Sequence, residues 1–499
     1  MLRVLQATCL AAIAAALLAP PCAAGPFRIM GHDTASMAQG GSQGAWGRGL
    51  GAIYSNPALL VDLDRGFVLD FFVVQPFLDT DLMTRPANAD IPITFYDSDV
   101  GIEGENLDRP LPTAELRNPR ADNTVDQPLT FLGIGIAHDL GIEDFMLGLA
   151  LRVPTDGLAA VKACYPDERE QYFSNTVHFT RFGEWSQVLS LLFGLAYRPL
   201  DWLSVGASVE GALNIGATID MFIPEASVQD YALVNTDFDA ETTARAVVGF
   251  NFRPWDFLSI SVIWRDRRYT RVEADAVLSL WNYHEAGDET QPKRVKQRHL
   301  LALDFEPMEV SLALGGKWRG AWADLTVSWN HWADYLDAHH ERGQYTAVSD
   351  PAAQGESLSQ FAFSDTFSVA FGMGYEYLDG FSAQVGFAYR PTPVPAQVGR
   401  TSYLDEDLFA ATVGHRFDFT LWDQRLRAEL ALQFWKMIDA TVHKDPALIK
   451  DEFPDEARTV IGGQLMPEAE GLQTNNPGFP GFSFGGWALH CAVTLAYLF

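Results

Sequence analysis

The stretch Leu203-Ser-Val-Gly-Ala-Ser-Val-Glu-Gly-Ala-Leu-Asn214 sets Leu203, Val205, Ala207 and Val209 on one side and Ser204, Ser208, Glu210 and Asn214 on the other. Side chains of a β-strand point alternately to its two faces, so a period of two marks a strand with one apolar and one polar face. The phrase recurs along the chain. In 257–265, Leu258, Ile260, Val262 and Trp264 oppose Ser259, Ser261 and Arg265; in 310–318, Val310, Leu312, Leu314 and Trp318 oppose Ser311, Gly315 and Lys317. Residues 367–376 set Phe367, Val369, Phe371, Met373 and Tyr375 against Ser368, Gly372 and Glu376. Residues 383–390 set Val385 and Phe387 against Gln384 and Arg390, and 426–435 set Leu430, Leu432 and Phe434 against Arg427, Glu429 and Gln433.

A soluble antiparallel sheet also alternates, so the pattern alone does not choose a membrane. Three further features choose one. The segments run to about 10–14 residues, near what a tilted strand needs to cross a bilayer and longer than the usual soluble strand. Aromatic residues gather at their ends, at Trp202, Trp255, Trp318, Trp329, Tyr375, Tyr389 and Trp435, where the girdles of a membrane barrel sit. Connections alternate between short, as at Arg198-Pro-Leu-Asp201, Arg253-Pro-Trp-Asp256 and Leu378-Asp-Gly380, and long and acidic; short periplasmic turns with long outer loops are the outer-membrane pattern. No stretch after the leader reaches the ~18 apolar residues of a spanning helix. Strands are expected near 66–78, 128–138, 144–155, 185–198, 202–216, 242–253, 256–270, 297–318, 321–335, 364–378, 380–391, 406–418, 424–438 and 486–499, fourteen in all. Pro307 interrupts 297–318; counted as two, the total would be odd and the last strand could not close antiparallel on the first. The expected fold is all-β: a membrane-spanning antiparallel β-barrel of about fourteen strands.

Residues 1–24 open Met-Leu-Arg, continue through an apolar Ala/Leu/Ile core and end Pro-Pro-Cys-Ala-Ala, the form of a secretory signal peptide cleaved after Ala24. The net charge of −29 argues against nucleic acid as a partner. Much of the acid lies in loops, between Asp79 and Asp126 and between 439 and 470. Only Cys164 and Cys491 follow the leader, one in an expected loop and the other mid-strand on the lipid face, an unlikely geometry for a bond between them. With no Cys-x-x-Cys and no His/Cys cluster, neither a metal site nor a cofactor is expected. Gly-x-Ser-x-Gly is absent, and His138, His299, His331, His415 and His490 sit in no nucleophile motif. His339-His340 reads as a solvated loop pair. The chain is not expected to be an enzyme.

Between leader and first strand lies Gly25-Pro-Phe-Arg-Ile-Met-Gly-His-Asp-Thr-Ala-Ser-Met-Ala-Gln-Gly-Gly-Ser-Gln-Gly-Ala-Trp-Gly-Arg-Gly-Leu-Gly-Ala-Ile-Tyr-Ser-Asn-Pro-Ala-Leu-Leu60. It holds too much glycine for a regular helix or long strand, and a compact small-residue segment ahead of a barrel reads as a hatch folded inside it. Its Gly40-Gly41 and Asn56-Pro57-Ala58 pattern resembles the hatch of the FadL/TodX family of outer-membrane long-chain fatty-acid and hydrophobic-compound transporters. Pro199-Leu-Asp-Trp-Leu-Ser-Val-Gly-Ala-Ser-Val209, Asp324-Leu-Thr-Val-Ser-Trp-Asn-His-Trp332, Gly386-Phe-Ala-Tyr-Arg-Pro-Thr-Pro-Val-Pro395 and Gly485-Gly486 are similar to that family's phrases in the same order. Chain organisation is then 1–24 signal peptide, 25–62 hatch and 63–499 barrel. The long loops 79–127 and 439–485 depart from the family and leave ligand identity open.

The resemblance implies a monomer in the outer membrane of a Gram-negative bacterium. Its partners would be a hydrophobic small molecule, outer-membrane lipid and lipopolysaccharide, and the barrel-insertion machinery, which would read the terminal Tyr497 and Phe499. It implies hatch-gated passive uptake from a pocket beside the hatch N-terminus, at Gly25, Phe27, Arg28, Ile29 and Met30. It also implies sideways exit at a distorted third strand, where Gly148 and Pro154 fall. Gly40 and Gly41 supply permissive backbone, and Asn56-Pro57-Ala58 would pin the hatch exit. A carboxylate cargo needs a cation near its apolar pocket; Arg245, Arg265, Lys317, Arg390, Arg416 and Arg427 face the lumen and are candidates, with Glu210, Asp324, Glu376 and Glu429 available to pair them. The competing reading is a general porin or an adhesin-type barrel with acidic outer loops.

Overall fold

Each alternating stretch becomes a strand of one closed antiparallel wall. The computed structural model describes residues 31–47, 49–83, 128–155, 178–179, 189–223, 233–280, 293–335, 344–346, 363–399, 402–449, 472, 474 and 478–499. For 178–179, 213–223, 233–242, 269–280, 293–304 and 344–346 it describes the backbone only. The wall strands are β1 Gly66–Leu82, β2 Leu129–His138, β3 Phe145–Pro154, β4 Ser190–Leu200, β5 Leu203–Ile223, β6 Leu233–Trp255 and β7 Leu258–Arg265 continued by Arg268–Leu280. There follow β8, Lys293–Glu306 continued by Met308–Trp318, then β9 Ala321–His331, β10 Thr366–Leu378, β11 Phe381–Arg390, β12 Leu408–Leu421, β13 Gln424–His443 and β14 Gly481–Leu498.

Neighbours in the chain are neighbours in the wall, and β1 pairs β14 from Gly66↔Leu498 to Leu82↔Phe482. That pairing leaves no first or last edge, so the ladder satisfies the backbone groups of every wall strand internally. The expected count of fourteen holds because Pro307 interrupts one strand without adding another. Met308–Trp318 pairs with Leu258–Arg265 while Lys293–Glu306 pairs with Arg268–Leu280. The missing N–H of Pro307 breaks the ladder at the height where Asp266-Arg267 interrupts β7.

At one end the connections are tight. Arg319-Gly320 and Trp422-Asp423 both carry positive φ at the two central residues, the twist that matches a two-residue hairpin to its strands. At the other end the wall rises unevenly. β5 and β6 run 21 and 23 residues, roughly twice the 9–11 of a bilayer crossing, and Ile219–Ile223 of β5 adds a parallel pairing with Ala276–Leu280 of β7.

The faces are inverted relative to a soluble sheet. Phe367 is 63% exposed, Leu312 57% and Leu495 55%, whereas Ser259, Ser261, Asp324 and Gln433 are each fully buried at 0%. A continuous apolar exterior around a polar interior is the arrangement a bilayer stabilises. Inside lies the N-terminal segment: α1 Thr34–Ala38, α2 Ala52–Ser55 and a 3₁₀ turn Pro57–Asp62. Its contacts reach β5, β7, β9, β12 and β14. A segment touching strands around the whole circumference can only occupy the lumen.

Cys491 is exposed on the outward face, opposite Val73 and Leu432 in the neighbouring strands. In proteoliposomes of a variant retaining Cys491 alone, a bilayer-soluble maleimide is expected to label it and a membrane-impermeant one to fail. Equal labelling by both would contradict the outward, lipid-facing assignment.

Candidate functional site

The inserted segment is organised by Asp33. Its Oδ1 accepts from Ser36 N at 2.7 Å, and Ser36 Oγ accepts from Asp33 N at 3.0 Å, so the two ends of the first turn cap each other. Oδ2 accepts from Gly51 N at 2.7 Å, tying α1 to the start of α2. A Cβ on Gly51 would lie 2.7 Å from the Asp33 carboxyl carbon, so the spacing of glycines makes room for the carboxylate. Asn56 accepts from Ala58 N at 3.1 Å and donates to Gly44 O at 2.7 Å, and Pro57 opens the 3₁₀ turn. These contacts cap one turn and cross-link two others. Gly40 has φ +65 and lies against the Phe387 backbone; Gly41 has φ +82 and faces Arg390. Gly25, Phe27, Arg28, Ile29 and Met30 lie outside the described residues.

The wall receives the segment through polar anchors and glycine recesses. Asp324, 0% exposed, accepts from Ala45 N at 2.7 Å and Trp46 N at 3.1 Å through Oδ2, and from Ser42 Oγ at 2.8 Å through Oδ1. Ser208 donates to Ile53 O at 2.6 Å, Ser259 to Ala45 O at 2.9 Å and Thr412 to Ala38 O at 2.9 Å. Arg152 donates to His32 O. Elsewhere the wall gives way: Gly206 and Gly249 lie under Pro57 and Asn56, and Gly148, paired with Gly194, lies under Ile53 and Leu60. β3, which holds Gly148 and Pro154, pairs β2 and β4 without a register shift in its described ladder.

The six lumen cations fall into distinct settings. Arg245 joins a buried ring: it donates to Glu210 at 2.6 Å and pairs Glu306, while Arg268 bridges Glu210 and Glu306 at 2.9 Å each. Arg265 pairs Glu309 at 3.0 Å and donates to Tyr54 O at 2.6 Å. Its guanidinium sits 4.0 Å from the Tyr54 ring centre, with Arg245 at 5.3 Å and the His32 ring stacked at 3.3 Å. Lys317 lies 3.7 Å over the Trp46 ring, with Arg253 at 5.1 Å. Arg416 and Arg427 share Asp418, at 3.0 and 2.6 Å, and Arg427 reaches Asp64 at 2.8 Å. Arg390 is half-buried beside Gly41. Arg152 and Arg268 were not among the expected cations. Arg152 stands on the lumen phase of β3, where alternation could have found it; Arg268 lies past the break in β7, where the phase is reset.

Above the segment the lumen is two-sided. Over β10–β14 and β1, Leu78, Ala370, Ala388, Leu408, Trp435, Met437, Phe482 and Phe484 form one apolar cluster. Over β5–β9 stand the charged ring, Arg265 and Glu309, Ser311, Ser328 and Asn330. A cavity of about 70 Å³ lies at the seam, lined by Gly31 and His32 of the segment, by Arg265, Ser311 and Ser328 on the polar side and by Val369 and Ala370 on the other.

At the long-loop end, Lys444 donates to Gln397 O at 2.9 Å and lies 5.3 Å over the Phe482 ring. Gln397 is itself bonded to Tyr403, so this contact fastens the segment between β11 and β12 to the end of β13. Burial pushes the Lys444 ammonium down to about 7.

No protein-family profile matches the chain, and no curated protein matches it. Solved structures do. A FadL homologue of Pseudomonas aeruginosa superposes with a TM-score of 0.54 at 12% identity, over 94% of this chain and 98% of its own. The toluene transporter TodX of Pseudomonas putida gives 0.50 at 12% identity, over 94% and 99%. A TodX deltaS2 mutant, a monoaromatic hydrocarbon channel, gives 0.51 at 13%, over 95% and 100%. At such identities the likeness speaks for the fold, which is the same barrel.

Two outcomes follow from these contacts. Replacing Asp324 by Ala strands the buried N–H groups of Ala45 and Trp46, at about 1–3 kcal/mol each. The wall should stay folded while its ion conductance in planar bilayers rises; unchanged conductance would show that the segment is held elsewhere. For Lys444, the folded pKa lies below the unfolded one, so the unfolded chain binds the extra proton between pH ~7 and ~10.4, and stability rises with pH across that window. Lys444→Met should therefore raise the melting temperature at pH 6, with the gain shrinking toward pH 10; a gain independent of pH would contradict the burial argument.

Proposed function

We propose, for a chain with the fold of the FadL-type barrels, that it is an outer-membrane transporter taking up hydrophobic small molecules by passive diffusion gated by its N-terminal hatch. The observation that carries this reading is the hatch itself. Its anchoring to strands around the lumen favours a plugged barrel over an open water-filled pore of the general-porin type. Cargo must enter beside a plug that moves or reshapes.

The apolar cluster over β10–β14 supplies the driving force for capture. Each CH₂ removed from water contributes roughly 0.8 kcal/mol, so a partly buried alkyl chain or aromatic ring gains several kcal/mol without a cation. Release requires the hatch to change the pocket. Its half from Gly31 to Gly41 holds both positive-φ turns, where two peptide planes can reorient with little steric cost. The other half is fastened by Asp62 to Arg198 and Arg253 and by Asp324, and acts as the fixed half. For exit we favour the wall beside Gly148 and Gly194, which presents no side chain to the hatch; rotation of the Ile53 and Leu60 side chains, with the backbone of the fixed half in place, would leave an apolar window there.

Uptake of a labelled long-chain fatty acid, toluene and a small sugar by cells making the intact protein or a variant lacking Gly25–Met30 tests the reading. Uptake of one of the hydrophobic compounds should depend on the protein and fall on truncation, with no sugar passing. Sugar flux with no protein-dependent hydrophobic uptake would make the protein a porin.

A further inference from the structure

We infer that the cavity at the seam of the lumen is a binding site for the hydroxyl group of an otherwise apolar molecule, an alcohol or a phenol. This rests on the transport reading above and narrows its cargo.

The carriers of the site are side chains of three wall strands and the hatch. Ser311 donates to Glu309 at 2.7 Å. Its hydroxyl proton being so used, the 2.7 Å contact with Ser328 has Ser328 as donor, leaving the Ser328 oxygen with lone pairs as acceptor. Ser368 accepts from Asn330 Nδ2 at 3.2 Å and so keeps its own O–H to donate. Ser55 lines the same space; its Oγ is shielded from solvent and has no hydrogen-bond partner among the described residues. A buried hydroxyl left unmet is unfavourable.

The cavity thus offers an acceptor at Ser328 and donors at Ser368 and Ser55. A hydroxyl both donates and accepts, and meets both. A hydrocarbon meets neither, and a carboxylate can only accept, leaving the Ser328 lone pairs facing its charge. Glu309 is already balanced by Arg265 at 3.0 Å, so that pair adds little net charge; Arg390 also lines the cavity, and octanoate is included in the test below to measure what its charge contributes. Ala370 lies both on this cavity and in the apolar cluster above it, so the remainder of such a molecule would lie toward that cluster.

The test uses the full-length mature barrel in detergent micelles, with binding of octane, 1-octanol and octanoate measured by calorimetry against a micelle-only reference. The native protein should bind 1-octanol at least tenfold more tightly than octane. Ser328→Ala should cut 1-octanol binding about three- to tenfold with octane unchanged, and Ser328→Thr should restore it. Ser368→Ala, on a neighbouring strand, should act in the same direction. Equal binding of octane and 1-octanol would overturn the proposal and make the cavity a water site. Octanoate binding tightest, and indifferent to Ser328→Ala, would overturn it in favour of a carboxylate site. Failure of all three compounds to bind would overturn it by removing the transport reading on which it rests.

Discussion

Closure of β1 on β14 is the constraint from which the rest of the structure follows. Pairing from Gly66↔Leu498 to Leu82↔Phe482 turns a sheet with two edges into a wall with none, which is what removes unpaired backbone from an apolar surround. Closure also fixes the phase of every strand. Once Asp70 and Phe72 of β1 point inward, the ladder carries that phase around to Thr494 and Ala492, and a slip of one residue in any strand would turn its charges outward.

A closed wall creates an interior that must be filled, and here it is filled with polar chemistry. Glu210, Arg245, Arg268 and Glu306 are 1–5% exposed, and each charge has two opposite charges as neighbours. Removing a charge from water is expensive unless such neighbours replace the lost hydration. The alternating ring leaves no member with a single partner, and it binds together strands whose hydrogen-bond ladder is interrupted near Pro307. The same economy governs Asp324, whose two oxygens meet three donors from the hatch; a carboxylate there joins a loop of small residues to a wall that could not grip them by size.

Apolar and polar sectors of the lumen divide the labour. The cluster around Trp435 and Phe482 offers area without direction. The serines of β8–β10 offer direction with little area. A ligand site needs both, the first for affinity and the second for orientation, and the two meet at Val369 and Ala370, where the hatch turn at Gly41 also comes close.

The strands, their inward and outward faces and their number are legible in the sequence because a period of two is a local property: Ser204 and Val205 differ in face whatever the rest of the chain does. Pro307 shows the limit, since the sequence marks a break and only the pairing on either side shows one strand continuing through it. The inserted N-terminal segment was visible as composition, and Asn56-Pro57-Ala58 as a turn, but not what they dock on. Ser42 and Asp324 are separated by 282 positions, and no periodicity relates them. Gly206, Gly249 and Gly148 look in sequence like weak points in strands; they are recesses shaped to the hatch. Alternation put Arg245 in the lumen, yet Arg268 and Glu306, which complete its ring, lie beside the strand interruptions at Asp266-Arg267 and Pro307. What the sequence determined by itself is which side of each strand faces water or lipid. Which inward groups meet was decided by tertiary structure, because only barrel closure sets residues far apart in the chain at hydrogen-bonding distance across the lumen.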